Sequence, residues 1–144
     1  MKNPEPPADF VFAGLSPELL VSDLTRSLAF WRDLCGFEVA YRRIEERFVY
    51  LDRDGLQLML EELGSATRAW MKCDLERPFG RGINFQFRIG DVDRLAAKFA
   101  AADWPLLLPL EDKLYRVGAR ELMVRQFAAR DPDGYVARFS QDMN

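Results

Sequence analysis

Two stretches of the chain alternate apolar and polar residues and then change to a helical spacing. The apolar positions of the first stretch are Pro17, Leu19 and Val21, and those of the second are Phe85, Phe87 and Ile89. A period of two with one apolar face is typical of a half-buried strand. Each stretch runs into an aspartate, Asp23 or Asp91, whose carboxylate is suited to accept hydrogen bonds from the first turn of a helix. The pattern therefore predicts a strand followed by a capped helix, twice.

The helices that follow carry apolar residues three and four positions apart. These are Leu24, Leu28, Trp31 and Leu34 in the first helix, and Val92, Leu95, Phe99 and Ala102 in the second. Such spacing predicts one core-facing stripe for each helix. Gly36 and Pro105 are typical of the places where helices end.

Three further strands are predicted after each helix. They are roughly Phe37 to Arg43, Arg47 to Leu51 and Leu56 to Glu61 in the first half, and Leu106 to Leu110, Leu122 to Ala129 and Tyr135 to Gln141 in the second. An Asp-x-Asp-Gly tetrad separates the last two strands of each half, and we interpret its aspartates as structural turn residues.

The two halves repeat one β-α-β-β-β module. Asp23 and Asp91 open the two helices, and Asp52 and Asp131 open the two tetrads. The first pair is separated by somewhat fewer residues than the second pair, so the two halves align if the second half has a longer connection between its helix and its tetrad. We predict an α+β fold with an N-terminal tail at 1–14, modules at 15–63 and 82–141, and an inter-module loop at 64–81, the whole of 15–141 forming one domain.

Composition narrows the function classes. The chain is 49% hydrophobic and 30% charged, with a net charge of -3, which is typical of a globular protein without a nucleic-acid partner. No segment resembles a signal peptide or a membrane-spanning helix, so we expect a cytoplasmic protein without membrane contact. Cys35 and Cys73 are expected to be reduced thiols.

The chain contains no histidine. This excludes Ser-His and Cys-His nucleophile pairs and removes the commonest general base and a common metal ligand.

Several motifs together resemble the vicinal oxygen chelate superfamily. They are the repeated module, the stretch Val21-Ser22-Asp23-Leu24-x-x-Ser27-Leu28-x-Phe30-Trp31-x-x-x-x-Gly36-Phe37, and Asp131-Pro132-Asp133-Gly134-Tyr135. This superfamily includes glyoxalase I, extradiol dioxygenases, fosfomycin-resistance enzymes and metal-free bleomycin-resistance proteins. The resemblance covers roughly Leu15 to Gln141 and implies curved mixed β-sheets that enclose a cup, while the fold alone leaves the activity open.

The resemblance also implies where metal ligands would lie. The family spacing places the two first-strand ligands at Ser16 and Asn84 and the last-strand ligand of the second module at Arg138, and the internal repeat adds Met59. A register two residues away would replace Met59 by Glu61 or Gln57. This set lacks imidazole, thiolate and a second carboxylate and contains a fixed cation, so we expect neither a metal nor another cofactor.

Strand parity predicts the side chains that line the cup. They are Ser16, Glu18, Gln57, Met59, Glu61, Asn84, Gln86, Arg88, Val136, Arg138 and Ser140, to which Trp70 of the inter-module loop is added for stacking. Arg138 is expected either to touch a ligand or to pair with Glu18 or Glu61, because a charge on a central strand must be paired or solvated.

Two functions from different classes remain. The first is a metal-free homodimer that, like the bleomycin-resistance proteins, sequesters a small polar or cationic molecule without catalysis. The second is an enzyme of glyoxalase or dioxygenase type with a non-standard active site, in which Glu61 or Glu18 is the general base. A stress or regulatory module without a small ligand is a third interpretation.

Overall fold

The computed structural model describes residues 4–65 and 74–144 of the chain. These residues divide into two compact units, with the boundary between Leu75 and Glu76. We call them unit 1 and unit 2.

Unit 1 contains one mixed sheet and one short helical segment. Its elements are β1 (Glu18–Val21), α1 (Leu24–Leu28), a π-helical continuation of α1 (Ala29–Leu34), β2 (Glu38–Arg43), a 3₁₀ turn (Ile44–Glu46), β3 (Phe48–Arg53) and β4 (Leu56–Glu62). The strand order is β1-β4-β3-β2, with β1 parallel to β4 and the other pairs antiparallel.

Unit 2 has the same order of elements. They are β5 (Asn84–Arg88), α2 (Val92–Ala101), β6 (Leu106–Val117), β7 (Arg120–Arg130) and β8 (Val136–Asp142). The strand order is β5-β8-β7-β6, with β5 parallel to β8. The α+β class and the repeated β-α-β-β-β module are thereby confirmed.

The register of the strands reproduces the internal repeat. Glu18 pairs with Met59 in unit 1, and Gln86 pairs with Arg138 in unit 2. Gln86 follows Glu18 by the same step in residue number that separates the two helix-opening aspartates, and Arg138 follows Met59 by the step that separates the two tetrads. The two steps found in the sequence therefore describe one structural alignment.

The helices pack on one face of each sheet. In unit 1 the buried positions include Leu19, Leu58 and Leu60, while Trp31 contributes the largest fully buried side chain of the helical segment. In unit 2 the ring of Phe99 on α2 lies 5.1 Å from Phe127 and 6.2 Å from Phe139. The opposite face of each sheet, which we call the open face, carries the alternate residues of the strands.

Helix capping differs from the expectation at one position. Asp23 caps α1 as predicted, since its carboxylate accepts a hydrogen bond from the Arg26 amide. Within the described residues, however, the Asp91 carboxylate does not cap α2, and Gln141 Oε1 accepts the bond from the Val92 amide at 3.2 Å. The last strand therefore supplies in unit 2 a contact that the sequence pattern assigns to the preceding loop.

The hairpin formed by β6 and β7 is longer than predicted. The strand expected to end at Leu110 continues to Val117, and its partner begins at Arg120. The added residues of β6 are mostly exposed and do not alternate as apolar and polar positions. Their pairing is supported by ionic contacts such as Arg125 to Asp112 at 2.7 Å, which hydrophobic periodicity does not reveal.

Among the described residues, no helix combines the length and the apolar character that crossing a membrane requires.

Candidate functional site

The open face of unit 1 brings together five of the predicted residues. Ser16 lies just before β1, Glu18 lies on β1, and Gln57, Met59 and Glu61 alternate along β4. The cross-strand pairing of Glu18 with Met59 places β1 and β4 side chains next to each other.

Gln57 is the most completely hydrogen-bonded of these side chains. Its Oε1 accepts bonds from the Ala13 amide at 2.8 Å and from the Tyr50 hydroxyl at 2.6 Å. Its Nε2 donates to the Val11 carbonyl and to Asp52 Oδ1, both at 2.8 Å. Gln57 is only 6% exposed. Its bonds to Val11 and Ala13 hold residues 11–13 of the N-terminal segment on the open face.

Ser16 extends this network. Its Oγ lies 2.6 Å from the Tyr50 hydroxyl. Because the single proton of Tyr50 is donated to Gln57, the Ser16 hydroxyl is the donor in this contact. Ser16 thus helps to orient Tyr50.

An aromatic surface lies beside this network. The rings of Tyr41 and Tyr50 stack with centroids 5.1 Å apart, and Phe10 and Phe12 of the N-terminal segment approach Tyr50 edge-on at 6.0 and 5.5 Å. Met59 is half-buried against the same cluster. Its thioether therefore packs against hydrophobic side chains.

Two carboxyl groups lie together at the other end of the open face. Partial desolvation, a hydrogen bond to Glu61 and the negative charge of Glu61 raise the pKa of Glu18 above its usual value, while the nearby Arg43 cation opposes the shift. Glu61 is 6% exposed and accepts a bond from Ser65 Oγ at 2.8 Å. The pair is suited to hold one shared proton or to face a cationic group.

The open face of unit 2 is organised around Arg138. Its Nη2 donates to Gln86 Oε1 at 3.0 Å, and its Nη1 lies 3.5 Å from Gln126 Oε1. Gln86 Nε2 in turn donates to Ser140 Oγ at 3.0 Å. Within unit 2, the guanidinium group of Arg138 thus contacts two neutral amide oxygens.

Three residues of this network are not among the predicted site residues. Gln126 is 2% exposed, and its Nε2 donates to the Tyr115 hydroxyl at 2.7 Å and to Glu111 Oε1 at 3.0 Å. Gln126 lies opposite Ser140 in the register of β7 and β8. Strand parity along the predicted strand from Leu122 to Ala129 is the signal that could have found Gln126, whereas Glu111 and Tyr115 lie beyond the predicted end of their strand.

Three of the remaining predicted residues lie on strands β5 and β8 of this face, and the fourth is not among the described residues. Asn84 and Arg88 are exposed on β5, and Arg88 forms an ion pair with Asp142 at 3.4 Å. Val136 lies opposite Asn84. Trp70 falls outside the described residues.

The tetrad aspartates of unit 2 serve the turn. Asp131 Oδ1 accepts bonds from three consecutive backbone amides, those of Asp133, Gly134 and Tyr135, each at 2.9 Å. Asp133 is 1% exposed at its side chain and pairs with Arg77 at 2.8 Å. These contacts support the structural interpretation of the tetrad.

The family positions do not fit a metal ion. In unit 1 the Ser16 hydroxyl is engaged with Tyr50 and Met59 packs against aromatic rings, and in unit 2 the pair consists of Asn84 and the cationic Arg138. Divalent transition metals prefer imidazole, thiolate and carboxylate donors. Across residues 4–65 and 74–144, no three His, Cys, Asp or Glu side chains come together as a metal site.

A separate hollow lies at the end of the unit-2 sheet. It has a volume of about 450 Å³ and is lined by residues 104–107 and 130–132. Trp104 Nε1 donates to the Arg130 carbonyl at 2.9 Å, which fixes the indole at its rim.

Comparison with protein-family models identifies one family that spans most of the chain. The family model described as "Glyoxalase/Bleomycin resistance protein/Dioxygenase superfamily" matches residues 14–139. A search of curated proteins found no match.

Three solved structures are similar in fold to the chain although each shares less than a quarter of its sequence with it. One is a protein from the mobile metagenome of V. Pseudocholerae, with a TM-score of 0.69, 17% identity, and coverage of 94% of this chain and 98% of that chain. TioX from Micromonospora sp. ML1 has a TM-score of 0.65, 23% identity, and coverage of 91% and 100%. Lactoylglutathione lyase from Agrobacterium tumefaciens has a TM-score of 0.58, 21% identity, and coverage of 94% and 95%.

Proposed function

The chain belongs to the glyoxalase/bleomycin resistance protein/dioxygenase superfamily, and from this premise we propose that it is a metal-independent binding protein for a small polar or cationic molecule. In this proposal the open face of a sheet holds the ligand by hydrogen bonds and ring contacts, and no bond in the ligand is broken.

The proposal rests mainly on the presence of an arginine, Arg138, at a position of the family's metal site. It stands at a position where the family spacing expects a metal ligand, and a guanidinium group cannot be deprotonated to bind a metal ion. Within unit 2 its guanidinium group contacts the neutral oxygens of Gln86 and Gln126. Such a group is suited to a carboxylate, phosphate or carbonyl oxygen of a ligand.

Unit 1 offers the opposite charge. The Glu18 and Glu61 carboxyl groups attract a ligand cation, and the Tyr41 and Tyr50 rings provide an apolar surface for planar groups. Each open face by itself therefore favours a polar or charged ligand over a purely apolar one.

A titration of the chelator-treated protein tests this function. Bleomycin and a panel of polar aromatic amines are added to the protein, and the heat of binding and the melting temperature are followed. We expect at least one saturable interaction that persists in the presence of chelator. Binding that appears only after a transition metal is restored would overturn the proposal.

The enzymatic alternative rests on the carboxyl pair. A carboxylate with a raised pKa is a better general base near neutral pH than an ordinary one, and Glu18 remains exposed to a substrate. Turnover of a glyoxalase or dioxygenase substrate that is lost in Glu18→Gln but kept in Glu62→Gln would favour this alternative over simple binding.

We also propose that the protein is a homodimer. The strand β6 lies at the edge of the unit-2 sheet and exposes Leu107, Leu110, Leu114 and Val117. Exposed edge strands with apolar side chains commonly pair with another chain. Light scattering at micromolar concentration should give twice the 16.6 kDa mass of the chain, and a purely monomeric result would contradict this part of the proposal.

A further inference from the structure

The N-terminal residues 10–13 cover part of the open face of unit 1. The Gln57 amide binds the Val11 carbonyl and the Ala13 amide, which are the two backbone groups that flank residue 12. A side-chain amide that donates to one peptide group and accepts from the next can recognise an extended backbone independently of its side chains.

The rings of the segment supply a second kind of contact. Phe10 and Phe12 alternate with Val11, and both approach Tyr50 edge-on, while Phe12 also contacts Tyr41 at 6.2 Å. The side chain between them points away, since Val11 is 78% exposed. The open face therefore contacts the backbone at one point and aromatic side chains at alternate positions.

The segment covers this face incompletely. Phe12 is 58% exposed although its ring touches two tyrosines, and Leu15 behind it is 80% exposed. The anchoring Gln57 is by contrast 6% exposed and belongs to the sheet. The side chains that contact the segment, Gln57 and the rings of Tyr41 and Tyr50, thus belong to the sheet of unit 1.

We propose that the open face of unit 1 is a recognition site for an extended peptide segment with aromatic side chains at alternate positions, and that residues 10–13 fill this site in cis. An incoming ligand of this class must displace them. The inference goes beyond the proposed function: the two share only the premise that the open face of unit 1 binds a ligand, and the inference names a peptide as that ligand. A tethered occupant acts at a high effective concentration, so it suppresses weak ligands and admits only those that bind better.

The test uses the full chain and a synthetic peptide as the probe. The probe is a fluorescently labelled Asp-Phe-Val-Phe-Ala, which copies residues 9–13, and its control is Asp-Ala-Val-Ala-Ala. The substitution Phe10→Ala with Phe12→Ala weakens the segment and leaves the sheet unchanged. We expect the double variant to bind the aromatic probe saturably, and the unaltered chain to bind it about tenfold or more weakly.

Two further variants identify the site. Ala13→Pro removes the amide hydrogen that Gln57 accepts and should also expose the site, even if the double variant folds poorly. Adding Gln57→Leu to the double variant should reduce probe affinity about tenfold or more. Thermal melts establish that each variant is folded before binding is compared.

The contrary results are equally defined. Folded opened variants that show no saturable binding, or that bind both peptides equally, would overturn the inference. If the small-molecule titration succeeds while the peptide fails, only this inference is lost. If the peptide binds while the small molecules fail, the preference for small polar ligands is lost and the peptide site stands.

Discussion

Replacing Arg138 by methionine isolates the cation at the centre of the unit-2 network. Methionine keeps much of the length and the apolar stem of the arginine side chain while removing the charge and the donors. Gln86 is exposed, so water can replace the lost bond at its oxygen. Gln126 is 2% exposed, so its Oε1 loses a contact that water cannot easily replace.

These contacts set the expected size of the effect. A buried acceptor left without a donor costs about 1–3 kcal/mol. Arg138 Nε is itself buried and has no hydrogen-bond partner among the described residues, so its removal offsets part of this cost. We expect a net loss of about 1–2 kcal/mol in the free energy of unfolding, or about 2–8 °C in melting temperature. If Arg138 also holds a ligand oxygen, affinity should fall about tenfold to a hundredfold.

Arg88→Met is the matched control on the same face. Its ion pair with Asp142 joins side chains that are 59% and 41% exposed, and such surface pairs contribute about 0–1 kcal/mol. Differential scanning calorimetry and ligand titration should therefore separate the two variants. If Arg138→Met matches the unaltered chain in both melting temperature and affinity, the assigned role of the unit-2 network is wrong.

Four further substitutions test other contacts of the two units. The folded state binds the Glu18 proton more tightly than the unfolded state, so the unaltered chain should lose stability as pH rises from the usual carboxyl range through the raised pKa of Glu18. Glu18→Gln should remove this loss. Melting curves recorded from acid to neutral pH measure it. Hydrogen bonds from the Leu24 amide and from Arg47 lower the pKa of Glu62. Glu62→Gln should therefore reduce the free energy of unfolding by about 0.5–1 kcal/mol near neutral pH, and should have no effect in acid, where the unaltered carboxylate is protonated. Urea titrations of both proteins at neutral pH and in acid measure the difference. Gly134 has φ +106, and a Cβ there would lie 2.5 Å from a Pro78 carbon, so Gly134→Ala should cost about 2–4 kcal/mol; Gly118→Ala, at φ +64 with open space, should cost about 1 kcal/mol, and equal losses in thermal melts would contradict the steric argument.

The internal repeat makes the fold predictable from the sequence. Alternation at Leu19 and Val21, the Asp23 cap and the two glycine turns each indicate a local structure, and their recurrence along the chain constrains the topology. The structure also shows an equivalent helix-capping contact in the two units, which the hydrophobic periodicity does not indicate. Glu62 accepts a bond from the first amide of α1, and Gln141, at the equivalent position of the last strand of unit 2, accepts one from the first amide of α2. Asp91 is the N-cap residue of α2 as predicted, but within the described part of the chain the carboxylate bond expected from it is not formed, because Gln141 accepts from the first amide instead.

The open faces are less predictable because parity gives a direction and not a partner. Parity places Gln57 and Arg138 on these faces but does not indicate that Gln57 binds the N-terminal segment, which the sequence predicts only as a tail. The role of Gln126 is equally hidden, because its hydrogen bonds with Tyr115 and Glu111 depend on a hairpin that extends beyond the apolar pattern.

The metal content of the protein after exposure to transition metals shows directly whether the chain binds its ligand without a metal site. The purified chain is incubated with Zn, Ni, Mn and Fe salts in turn, dialysed, and analysed for bound metal. We expect far less than one ion per chain for every metal, because the family positions Ser16, Met59, Asn84 and Arg138 provide no suitable donor set. About one ion per chain that is lost on substituting Asn84 or Met59 would contradict it.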